Sequence, residues 1–451
     1  MTKKLHIHLT IILIMLCCMA PCLAVTTPDQ LADKAAKERQ REMKTQIKNI
    51  KEALKGKRGA DALKGVENIR KDSAEMWNTT VLQYGVDACR LIADGENEKL
   101  YLKNNPDTTA FFNALYNIGH YALLTDSAET IKAFADSMEG KATKYRFRKA
   151  NAALVSKNMG NILIAPRFFA AKGKWEDAER LASMGIDLME SNMLKAQKHY
   201  RTDTLKIVRM AVIHANACYN LKHHDAIERY AKWALMDSIA YESIMERLVY
   251  AETERGDTAS YFPKLVKGHR QFPYSIFFFS RLNDYYIRTA QYDHIVSATR
   301  FTLDKIEAEG LLNPEVDEDT LIRHKLTHEN IGQFYETLAI ASHNQGKFRD
   351  CINQSYNVLK WNPQHPRADF FIGASYFRMA EAVNIPESVN DPNYKKNSQE
   401  RDRLLEMARP HMEIYRKNNP EESRFWAPLL YEIYLYLNLG EEFEEILKYI
   451  P

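Results

Sequence analysis

The chain has 451 residues, 45% hydrophobic and 11% aromatic, with only 17 Gly and 15 Pro, and a formal charge of +3. Scarce Gly and Pro beside abundant Leu, Ala, Tyr, Glu and Lys suit an all-helical protein, and the length allows two or three compact domains or one solenoid. Without Lys3 and Lys4 the basic residues fall from 62 to 60 against 59 acidic ones, so net charge gives no ground for a nucleic-acid partner.

Residues 1–24 read as a signal peptide. Lys3-Lys4 form a basic start, Leu9–Met19 is an apolar run, and Cys22-Leu23-Ala24 ends in small residues where a signal peptidase reads. The run is shorter than the ~20 residues that span a bilayer, and Pro21 breaks it. Leu16 precedes Cys17 and Pro21 precedes Cys22, where lipid attachment needs a small residue. A periplasmic or cell-envelope location follows. Cys89, Cys218 and Cys351 then remain; an odd number without CxxC spacing reads as buried structural cysteines, with no metal site.

Residues 25–58 form a basic N-terminal segment. Leu31–Leu54 reads as one helix with Met43, Ile47, Ile50 and Leu54 as its apolar stripe. Ten Lys or Arg lie between Lys34 and Arg58, which suits a solvated capping helix or an arm for peripheral membrane association. Gly56-Lys57-Arg58-Gly59 reads as a hinge. Residues 59–159 read as degenerate helical repeats, with helices over Ala62–Trp77, Thr80–Ala93, Lys99–Asn104, Phe111–Leu124 and Ala128–Met138.

From residue 160 a two-helix pattern repeats. The first copy uses Ile162, Ala165, Pro166 and Phe169, a Gly173 turn, then Trp175, Ala178, Ala182 and Gly185; Pro166 predicts a kink. Next come Met210, Ile213, His214 and Ala217 with His223, Ala226, Tyr230 and Trp233. Met245, Leu248 and Val249 pair across Gly256 with Tyr261, Leu265 and Gly268. Phe279, Leu282 and Tyr286 pair with Tyr292, Ile295 and Thr299. Polar insertions are expected near 310–322 and 381–400, the second an exposed loop over Ile385–Glu400. Between them, Tyr335, Leu338, Ala339 and Ser342 face Phe348, Cys351, Ile352 and Ser355 across Gly346, and Asn362-Pro363 closes the unit.

An aromatic, an apolar-small pair, a Gly turn, a small residue in the second helix and a closing Pro, over about 34 residues, resemble the tetratricopeptide repeat (TPR) family. The resemblance implies an all-α, right-handed superhelical solenoid over 160–451. It also implies a non-catalytic scaffold whose first helices line a concave groove for a protein or peptide. The groove positions are Arg167, Tyr219, Arg281, Asp284, Arg288, His343, Asn344, Phe370, Phe371 and Arg378. Basic residues among aromatics suit a partner with acidic groups.

Enzyme signatures are incomplete. No phosphate-binding GxxxxGK[ST] or GxGxxG occurs, Phe377 replaces the second Gly of a nucleophile elbow at Ser375, and Gly332 replaces the second His after His328-Glu329. Adjacent His223 and His224 point to different sides of a helix. No cofactor is implied. The alternative is glycan capture, since SusD-type outer-membrane proteins also carry TPR-like helices. The insertion near 381–400 has only Tyr394 to offer as a sugar platform.

Cleavage after Ala24 should leave a chain starting at Val25. N-terminal sequencing of exported protein checks this; an intact Met1, or lipid on Cys17 or Cys22, contradicts it.

Overall fold

Apolar stripes at helical spacing fold as helices in a computed structural model that describes residues 28–450; the expected signal segment lies outside them. Among the described residues there is no strand, and no helix is long and apolar enough to cross a membrane. They form two compact units, one ending at Asp237 and the other starting at Ser238.

The first unit holds α1 (Pro28–Lys55), α2 (Gly59–Arg70), α3 (Thr79–Tyr101), α4 (Thr108–Met138), α5 (Arg148–Ala170), α6 (Trp175–Glu190) and α7 (Thr204–Leu221). Each packs on the next in sequence. The basic α1 buries Ile50 and Ala53 near its C-terminal end. The expected hinge is instead a packed turn. Lys57 takes a left-handed φ of 55°, Arg58 N–H donates to Ala53 O at 2.8 Å, and Gly59 is buried against α3.

The long helices run on where the sequence predicts breaks. The expected helices Phe111–Leu124 and Ala128–Met138 are one continuous α4, because the polar residues between them are satisfied. Buried Thr125 donates its hydroxyl to Tyr121 O at 2.7 Å, and Asp126 ion-pairs with Arg148. Likewise α3 runs on to Tyr101 through the start of the expected Lys99–Asn104 helix. The Ala62–Trp77 helix stops at Arg70, where Asp72 turns to pair with Arg39 and accept Ala74 N–H at 3.0 Å. Helix α5 continues through Pro166 to Ala170. Its N-terminus is capped from α4: the buried Glu129 carboxylate accepts N–H bonds from Arg146, Phe147 and Arg148 at 2.7, 2.9 and 3.2 Å. One side chain thus satisfies donors that would otherwise be orphaned. The expected helix through His223 and Trp233 is broken at Glu228–Tyr230 by a 3-10 turn.

The second unit holds α8 (Tyr241–Glu254), α9 (Thr258–Gln271), α10 (Ile276–Arg288), α11 (Tyr292–Ala308), the short α12 (Glu318–Arg323), α13 (His328–Asn344), α14 (Phe348–Trp361), α15 (Ala368–Glu381), α16 (Tyr394–Asn418), α17 (Ser423–Tyr436) and α18 (Gly440–Ile446). Apart from α12, these are antiparallel TPR-like hairpins stacked on their sequence neighbours. The insertion near 310–322 is partly core: Leu311 and Leu321 pack with Phe279, Ile306 and Phe334. The loop expected over Ile385–Glu400 is shorter, because α16 already starts at Tyr394.

A left-handed residue ends the first helix of successive hairpins at Lys222, Gly256 and Ala290, each 34 residues after the last. Gly346 does the same at φ 71°. In the first unit Asn105, Gly140 and Gly173 keep intervals of 35 and 33 residues, but each interval holds one long helix. The degenerate pattern there has this cause. Small residues make the close contacts: a Cβ on Gly373 would lie 2.7 Å from Met412 Cγ and 3.2 Å from Ala408 O.

A Cβ on Gly346 would meet nothing within 4 Å, so Gly346→Ala isolates the cost of its positive φ, about 1–2 kcal/mol. Ala290→Gly, at φ 54°, should stabilise by less than about 1 kcal/mol because Gly adds unfolded-state entropy. Urea unfolding checks both; shifts of the same sign contradict the turn assignment.

Candidate functional site

The apolar stripe of α10 fixes what its other face can present. Phe278, Phe279, Leu282 and Tyr286 are buried, so Arg281, Asp284 and Arg288, at helical spacings of three and four, share the opposite side. Helix α9 starts at the cap of Asp257, whose carboxylate accepts Ser260 N–H at 3.1 Å, and brings Tyr261 and Leu265 alongside. The result is a cleft of about 360 Å³ lined by Thr253, Tyr261, Leu265, Arg281, Asp284, Ile287 and Arg288.

Its two cations are held differently. Arg281 lies over the Phe277 and Tyr250 rings, 4.8 and 5.5 Å from their centroids, which fixes the guanidinium while leaving its donors unused. Arg288 Nε donates only to its own helix, to Asp284 O at 3.3 Å. Among the described residues neither forms an ion pair with a carboxylate. The cleft therefore offers two guanidiniums, with the Asp284 carboxylate on the same helix face, beside a phenol and apolar walls.

The other expected groove residues do not join this cleft. Arg167 and Tyr219 are exposed on α5 and α7 of the first unit. Asn344 is exposed and donates to Ile340 O at 2.8 Å. Phe371 is a correction: it is buried against Ala339 and Cys351, because close packing at this repeat's seam needs its volume. His343 is wedged edge-on between Phe348 and Phe371 at 5.6 and 5.9 Å, and burial, with nearby Arg378, lowers its pKa. Phe370 packs on Tyr415 at 5.2 Å. Arg378 pairs with Glu381 at 2.6 Å and is not among the residues lining the cleft. Larger hollows lie between α1 and α2, about 480 Å³, and beside α16–α18, about 560 Å³; neither includes any expected groove residue. Residues 382–393 carry no aromatic ring, and Tyr394 begins α16.

One further cluster brings a residue of α6 to two that lie far from it in the sequence. Glu179 on α6 and His214 and Cys218 on α7 bring a carboxylate, an imidazole and a thiol within 4.8 Å of one another. His214 and Cys218 are buried. Burial drives the His214 pKa down to about 4 and, with the Glu179 charge, drives the Cys218 thiol up. A buried thiol held in its protonated form is a poor nucleophile.

No protein-family model matches the chain, and no curated protein matches it. Three solved helical-repeat structures are similar. The yeast Sti1 TPR2AB domain in its pHSP90 complex shares 11% identity, covering 63% of this chain and 98% of that one at a TM-score of 0.23. The P58(IPK) TPR domain shares 10%, covering 84% and 98% at 0.24. Yeast Tom70 shares 11%, covering 91% and 95% at 0.20.

Helix α9 also generates a pH dependence. His269 is 3% exposed; its Nε2 donates to Ala298 O at 3.1 Å, while Nδ1 has no partner. Burial depresses its pKa, so the unfolded chain takes up the proton first. Its contribution is complete above about pH 6.5 and is lost as pH falls towards the lower folded value, at up to about 1.4 kcal/mol per pH unit. Urea midpoints at pH 7.5 and 5 should separate more for the unmodified chain than for His269→Gln; equal separations contradict this.

Proposed function

We propose that the protein is a non-catalytic exported scaffold that holds an extended protein or peptide partner with acidic groups, with the α9–α10 cleft as a contact point. The observation that carries this reading is the pair of guanidiniums, Arg281 and Arg288, in one cleft, neither of them in an ion pair among the described residues, with one carboxylate, Asp284, on the same face. A partner carboxylate there gains charge-assisted hydrogen bonds, and Tyr261, Leu265 and Ile287 offer apolar contact beside it. Export rests on the signal-like features of residues 1–24 and the peptidase-suited end at Ala24. The basic face of α1 is suited to an anionic surface and would act separately from the cleft.

The test uses labelled peptides from an Asp/Glu-rich random library and a Lys/Arg-rich counterpart. The acidic set should bind selectively and lose affinity as salt rises, since exposed charges are screened beyond about 8–10 Å. The double variant Arg281→Glu, Arg288→Glu should weaken capture at least about tenfold through like-charge repulsion. Its stability should fall by only about 0.5–1 kcal/mol, from the lost ring contacts of Arg281. Undiminished, salt-insensitive capture would move the binding surface elsewhere.

A further inference from the structure

We propose that Glu179, His214 and Cys218 form a zinc site that staples α6 to α7. His214 and Cys218 are four residues apart on α7, so one helical turn places both side chains on the same face, towards α6. Glu179 meets them from the first turns of α6. Cys218 Sγ lies 3.5 Å from Glu179 Oε1 and 3.6–3.7 Å from the two His214 ring nitrogens. Tetrahedral zinc with bonds of about 2.0–2.3 Å sets its ligand atoms about 3.3–3.6 Å apart. The sulfur–carboxylate edge already matches, whereas the sulfur is nearly equidistant from both His214 nitrogens, so the ring must turn about its χ2 bond to aim one lone pair at the ion. The remaining edge, between the carboxylate and the imidazole, is at most 4.8 Å and must close by up to about 1.5 Å to reach zinc geometry.

The surroundings hold the ligands in place. The other carboxylate oxygen, Glu179 Oε2, lies 2.9 Å from His223 Nδ1. His223 reaches it because Lys222 is left-handed at φ 59° and turns the chain back, with His223 N–H donating to Cys218 O at 2.9 Å. His223 is thus a positioning residue for a ligand, the role such second partners play around metals. On the far side the Tyr230 ring meets His214 edge-on at 4.8 Å, and the Tyr230 hydroxyl donates to Asp187 at 2.6 Å. Tyr230 closes the 3-10 turn Glu228–Tyr230 that breaks the helix there.

The donor set selects the ion. A thiolate, an imidazole and one carboxylate oxygen suit borderline-soft Zn²⁺ and not Mg²⁺ or Ca²⁺, which take oxygen shells. On binding, the Cys218 thiol proton is released to solvent and the sulfur bonds the metal, with no change in oxidation state. Cys218 and His214 are buried while the Glu179 side chain is 20% exposed, so the Glu179 side is where a water completes the tetrahedron.

The test titrates the chelator-stripped chain with Co²⁺ as a spectroscopic stand-in. One equivalent should give tetrahedral visible bands and a near-ultraviolet sulfur-to-cobalt charge-transfer band, both removed by added Zn²⁺. Cys218→Ser should abolish the charge-transfer band, while Cys89→Ser and Cys351→Ser keep it. His223→Ala should weaken binding about 10–100-fold and leave the band in place at saturation. If Cys218→Ser fails to fold, Glu179→Gln, at a partly exposed position, must lower affinity in the same titration. Helical chain without a charge-transfer band, a band surviving in Cys218→Ser, or Glu179→Gln binding as tightly as the unmodified chain overturns the proposal.

Discussion

A two-helix hairpin has an apolar face that nothing within it can cover, and the architecture of both units follows from that deficit. Each helix meets it by packing on its neighbours in sequence, so the core is distributed along the chain in successive clusters and has no single centre. The seam demands small residues where backbones approach, as at Gly373 beside Met412, and bulky ones beside them, as at Phe334 and Phe371. It also demands a sharp reversal at fixed intervals, supplied by left-handed residues such as Gly256 and Gly346. Spacing, small residues and turns are three views of one packing requirement.

The same requirement explains which side chains are left over for binding. On α10 the stripe from Phe278 to Tyr286 is taken by the core, so Arg281, Asp284 and Arg288 face outward. On α15 the demand is heavier: Phe371 to Ser375 are all buried, and little of that helix remains for a ligand. Two buried carboxylates take their partners from the chain connecting later helices. Glu129 caps α5 in this way, and Glu336 meets Arg367 at 2.6 Å and His365 at 3.5 Å.

Much of this was legible in the residues. The helical class, the hairpins from Met245 to Trp361 and the outward face of α10 follow from periodicity and turn residues. Two kinds of feature were not. Thr125 and Asp126 look like helix breakers, and only the partners Tyr121 and Arg148 show why α4 continues through them. His214, Cys218 and Glu179 are unremarkable separately, since nothing in the spacing of α6 and α7 announces that their ligand atoms converge. The HxxxC spacing on α7 was the available signal. Similarly, Phe371 was placed outward by register alone, while the Ala339–Cys351 seam draws it inward.

Hydrogen exchange on Gly373→Arg tests the central claim, that stability passes from neighbour to neighbour along the second unit, most directly. The bulky charge forces α15 away from Met412 on α16. Protection should collapse in α15 and α16, weaken in α14 and α17, and persist in α8 to α10. A uniform loss of protection across the second unit, or no loss at all, would contradict the account.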